Sequence, residues 1–92
     1  MKTQETNITP NPAKAPRTIE NERFFLKQKA SGYRLLYDVY EKKESYVLLG
    51  TCWVEGQQTL KPKVKVWVES KDNKGILTKR LQDVKKLIRT NL

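Results

Sequence analysis

Two residue types in this chain could do chemistry together: cationic side chains and flat aromatic rings. Lys61, Lys63 and Lys65 alternate with Val64 and Val66 before Trp67, the period-2 pattern of a strand with Lys63, Lys65 and Trp67 on one side. Pairing 33–40 with 45–55 adds Arg34 and Trp53 to that side, with Tyr40 nearby. Binding, rather than bond making, is the chemistry such a set supports. An unpaired nucleic-acid strand needs cations along its phosphates and π surfaces for its bases, each stack being worth about 1–3 kcal/mol. Arg34, Lys61, Lys63 and Lys65 would take phosphates, and Tyr40, Trp53 and Trp67 would stack.

The same residues support two other readings. Edge lysines guard a strand against pairing with other chains, which would make the pattern an ordinary solvated edge. Leu36, Val47 and Leu49, expected on the same side, would instead make it an interface to an acidic protein or to a second copy, anchored by Trp53 and Trp67.

Charge is unevenly spread. Of the net +9, residues 61–92 hold ten Lys/Arg against three Asp/Glu, whereas residues 19–60 hold six against six. That partition points to a polyanionic partner. Lys79, Arg80, Lys86 and Arg89 recur at helical spacing away from the apolar stripe Leu77, Leu81, Val84 and Ile88, and are candidates for secondary phosphate contacts together with Lys14 and Arg17. Lys85, Lys86 and Arg89 also suit the negative end of a helix dipole.

Catalysis finds little to work with. No histidine and a single cysteine, Cys52, leave no conventional zinc or haem ligand set and no intrachain disulfide. Cys52 is expected mid-strand on the core side, without a base to activate it. Glu41 and Glu44 flank a lysine pair in what reads as a solvated turn, and Gly32, Gly50, Gly56 and Gly75 are too dispersed to cradle a phosphate. The expectation is a non-enzymatic protein with no cofactor and no metal.

These side chains need a scaffold. Residues 1–18, with Pro10, Pro12 and Pro16 and few apolar side chains, read as a disordered basic arm, leaving 19–92 as a single domain. Residues 19–30, centred on Phe24, Phe25 and Leu26, read as one strand. Across a charged turn at 41–44, a hairpin would set Val39 beside Tyr46, Tyr37 beside Leu48, Leu35 beside Gly50 and Tyr33 beside Cys52 on the core side. Residues 63–70 form the next strand, with Val64, Val66 and Val68 inward, and the amphipathic helix follows.

The fold class expected is therefore α+β, an antiparallel three- or four-stranded meander packed in two layers on one C-terminal amphipathic helix. In element order, four strands and then a helix, the chain resembles the purine-rich-element-binding proteins and the single-stranded-DNA-binding transcriptional coactivators. The resemblance is one of fold alone, and no motif carries a residue role across. A homodimer is the default for so small a domain. With no apolar run of bilayer length and no signal-peptide core, the chain reads as a cytoplasmic accessory protein that binds DNA or RNA, single strands first, without a membrane. The alternative is an inhibitor, adaptor or assembly factor docking an acidic partner through the Trp-bearing face.

Overall fold

The computed structural model of the chain describes residues 15–29, 34–55 and 62–92. Five strands, β1 (Thr18–Glu20), β2 (Phe24–Lys29), β3 (Leu35–Lys42), β4 (Tyr46–Glu55) and β5 (Lys63–Glu69), form one antiparallel sheet in chain order. The helix α1 (Ile76–Asn91) packs on one face, over β5, β4 and β1. The two-layer α+β class is as expected, but the sheet has five strands rather than three or four.

The additional strand comes out of 19–30, where three adjacent apolar residues hide a hairpin. Asn21 Oδ1 accepts the backbone N–H groups of Arg23 (2.9 Å) and Phe24 (2.7 Å), so the chain reverses at 21–23. Ile19 then opposes Leu26, both buried. Just upstream, Ala15 packs into the core and the Pro16 carbonyl accepts the Tyr37 hydroxyl at 2.6 Å. The four-strand unit behind the resemblance in element order is thus replaced by a five-strand one.

Between sheet and helix lies the core. Phe24, Leu26, Leu35, Tyr37, Val39, Cys52, Val54 and Val64 meet Leu77, Val84 and Ile88 of α1, with Leu81 partly buried beside them. The apolar stripe on α1 therefore covers the sheet as its spacing implies. Its first turn has no acidic residue, and Gly75 precedes it at φ 84°, a conformation that favours glycine. The missing anion comes from β5. Glu69 accepts from Gly75 N (3.3 Å), Thr78 N (3.2 Å) and Thr78 Oγ1 (2.8 Å) at the positive end of the helix. Chiefly through the Thr78 side-chain bond, its carboxyl is held below the usual range.

Two irregularities decide which side chains face away from α1. Val39 opposes Gly50, but Tyr40 opposes Leu48, so Leu49 is an extra residue. Leu49 turns into the core and Tyr46 and Leu48 turn outward, the reverse of the expected placement. Val47, opposite Glu41, likewise moves to the helix side. The expected register fails for a further reason: β3 runs on through Glu41 and Lys42, so Lys42 rather than Val39 opposes Tyr46. Tyr33 lies outside the described residues.

The second shift falls where Cys52 opposes Val66 while Thr51 opposes Val68. Trp67 is the extra residue, and Val68 faces away from the helix instead of inward. Gly50 lies between the two shifts because nothing larger fits there. With φ at +154°, a Cβ on it would come within 2.5 Å of the Val68 carbonyl oxygen and 2.8 Å of Leu77 Cδ2.

Candidate functional site

Side chains on the open face lie in cross-strand rows. Lys29, Leu36, Trp53 and Lys65 make one row across β2 to β5, and Lys27, Asp38, Thr51 and Val68 make the next. A third holds Glu20, Phe25, Tyr40 and Leu48. Each row is fixed by strand register, so the face is built by the backbone rather than by loops.

The first row carries the densest group. The Trp53 and Trp67 rings meet edge-on with centroids 4.9 Å apart, and the Arg34 guanidinium lies 4.6 Å from the first and 5.1 Å from the second. Lys65 Nζ is 5.8 Å from the Trp53 ring. Leu36 is buried next to this group without belonging to the main core, which makes the group a small second cluster. Each cation–π contact is worth about 0.5–1 kcal/mol at an exposed site, enough to hold rings and guanidinium in place before a ligand arrives. A guanidinium stacked on indoles still presents N–H groups at its edge to an anion.

A second aromatic group stands further along the strands. Phe25 lies 6.0 Å from Tyr40 and 5.4 Å from Tyr46, centroid to centroid. Lys42, whose Nζ is 5.7 Å from the Tyr46 ring, is ion-paired with Glu20, and the Tyr46 hydroxyl donates to the same carboxylate at 3.4 Å. The Lys42 contact holds Glu20 below its usual range and raises Lys42 in turn. Tyr40 sits four residues from Leu36 on β3, about 13 Å at roughly 3.3 Å per residue. It belongs to this group and not with the tryptophans. Between the two groups Thr51 Oγ1 donates to Asp38 Oδ1 at 2.6 Å.

Arg34, Trp53, Lys65 and Trp67 are therefore brought together, with Lys63 on the same side at the edge strand. Lys65 Nζ lies 4.0 Å from Glu55 Oε1, and Glu55 also opposes Lys63. An exposed pair of this kind is worth about 0–1 kcal/mol and exchanges readily for a phosphate. Lys61 and Lys14 lie outside the described residues. The four candidate cations of α1 divide. Arg80 Nε donates to Glu41 at 3.2 Å and Arg89 Nε donates to the Pro62 carbonyl at 3.0 Å, while Lys79 and Lys86 are exposed.

Glu41, expected in a solvated turn, is instead buried at the end of β3. Arg80 (3.2 Å), Arg23 (3.7 Å) and Lys43 (3.8 Å) surround it, tying helix to sheet. Cys52 is buried on the core side as expected, and burial pushes its thiol up to about 12, far from a reactive thiolate.

Sequence reasoning missed Lys27, Lys29, Phe25, Tyr46, Leu48 and Val68 on the open face. The alternation of Phe25, Lys27 and Lys29 was a usable signal for the first three. For the others, placement depends on the two register shifts. Tyr46 (51% exposed), Leu48 (38%), Trp67 (45%) and Val68 (53%) are the large exposed apolar side chains among the described residues, and all four stand on this face.

Among the described residues no helix is long and apolar enough to cross a membrane, and no group of three His, Cys, Asp or Glu side chains could hold a metal ion. Compared with protein-family models, curated proteins and solved structures, the chain matched none. A functional reading therefore rests on the chemistry of the face itself.

Proposed function

We propose that this protein binds single-stranded nucleic acid through the open face of its sheet, by stacking and charge and without catalysis. The observation that carries the reading is the Arg34–Trp53–Trp67 cluster, with Lys29 and Lys65 in the Trp53 row and Lys63 beside it. Bases stack on the exposed Trp67 ring and on the Phe25, Tyr40 and Tyr46 group, while phosphates follow Lys29, Lys63, Lys65 and Arg34. Lys79 and Lys86 add contacts from the helix side. DNA and RNA share this chemistry.

Fluorescence anisotropy of a short labelled oligonucleotide tests it. Affinity is expected to fall with salt at a slope of about 0.7 per neutralised phosphate. The double substitution Lys63→Ala and Lys65→Ala should flatten that slope, and Trp67→Ala should weaken binding by about 1–3 kcal/mol. Absence of binding at low salt, or binding indifferent to salt, would sink the reading.

A second reading is favoured by one observation, the exposure of Tyr46, Leu48, Trp67 and Val68 together. Such a patch also fits an acidic protein partner or a second copy of the chain. Leu48→Ser with Val68→Ser should abolish a protein complex and leave oligonucleotide affinity nearly unchanged.

A further inference from the structure

Among the described residues, the open face carries three acidic side chains in its rows and margins, Glu20, Asp38 and Glu55, and they are not alike. Glu20 is ion-paired with Lys42, and Glu55 lies within reach of Lys65. Asp38 is the one of the three with no lysine or arginine at ion-pair distance among the described residues, although Lys27 opposes it across β2 and β3, and its Oδ1 takes the Thr51 hydroxyl. It is half-buried in the row between the two aromatic groups. Asp38 and Thr51 are also short side chains, set between the larger Leu36 and Trp53 on one side and Tyr40 and Leu48 on the other. Register thus places a half-buried carboxylate, with the buried Thr51 beside it, between the two aromatic groups.

A carboxylate in the middle of a cationic face is a poor neighbour for phosphate. Phosphates would keep to Lys29 at one side and to Lys63 and Lys65 at the other, which leaves a base above Asp38. The second Asp38 oxygen can accept a hydrogen bond, so it selects bases that donate one. Cytosine N4, adenine N6 and guanine N2 are exocyclic amino donors of this kind. Uracil and thymine have only N3–H there, flanked by two carbonyl oxygens that would face the carboxylate.

Resting on the reading of the face as a single-strand site, we infer that Asp38 makes it prefer bases with an exocyclic amino group over uracil and thymine. Titrating wild-type protein with oligo(dC) and oligo(dU) of equal length at neutral pH and low salt tests this, because the two ligands differ only at the base edge in question. Oligo(dC) should bind about fivefold more tightly, the lower end expected for one base contact. In Asp38→Asn, which keeps the shape and can still accept from Thr51, the ratio should collapse toward one as oligo(dU) binding improves. Equal wild-type affinities, or a ratio unaltered in a folded Asp38→Asn, would overturn the inference and leave the single-strand reading standing. Failure to bind either oligonucleotide would overturn both.

Discussion

The two faces of this sheet are made by the same strands and used differently. Toward α1 the side chains are mainly aliphatic and fully buried, and the polar groups there are matched: Tyr37 to the Pro16 carbonyl, Glu41 to Arg80, Glu69 to the N-terminus of the helix. Away from α1 they are aromatic and cationic, stacked on each other yet half-exposed. The first arrangement holds the fold together. The second adds little to stability but arrays rings and charges on a rigid surface, which is what a binding face requires.

The largest expected effect sets the two faces against each other. Ile88→Ala, in the closed core, should cost about 2–5 kcal/mol in urea denaturation, whereas Trp67→Ala should cost about 1 kcal/mol or less. Equal losses would mean that the open face is a second structural core. Glu41→Gln comes next. Loss of the charge that joins Arg80 and Arg23 to β3 should cost about 2 kcal/mol and leave oligonucleotide affinity unchanged, because this cluster lies on the helix side.

The smallest effect is one of pH. The Glu69 carboxyl is lowered from 4.5 in the folded state by its Thr78 bond, so its stabilisation is present above that value and fades as pH falls through the folded value. Thermal unfolding of Glu69→Gln should therefore lag wild type at neutral pH by about 1 kcal/mol. The gap should close well below pH 4.5. A gap that persisted in acid would move the role of Glu69 from its charge to its packing.

How much of this was legible in the sequence divides along the same line. Regular alternation and helical spacing are enough to place Val64, Val66, Cys52 and the α1 stripe, because burial of one face enforces them. The turn at 21–23 is not visible in the run Phe24, Phe25, Leu26, since it depends on the Asn21 side chain capturing two backbone amides. Nor does composition announce a one-residue register shift. Each shift reverses parity, which is why Leu49 is buried while Leu48 and Val68 are exposed. Arg34, Trp53, Lys65 and Trp67 were readable as one group because Trp53 and Lys65 are directly paired across β4 and β5. Tyr40 was misplaced because its distance along β3 matters more than its shared face.

The most direct test is to follow the two indole N–H signals by heteronuclear NMR while a short single-stranded oligonucleotide is added at low salt. Both indoles stand on the open face, so they report on it without ambiguity from strand amides shared by the two faces. Shifts of Trp53 and Trp67, reversed by added salt, are the predicted result. Unmoved indoles alongside shifted Lys79 and Lys86 signals would contradict the account and assign binding to the helix.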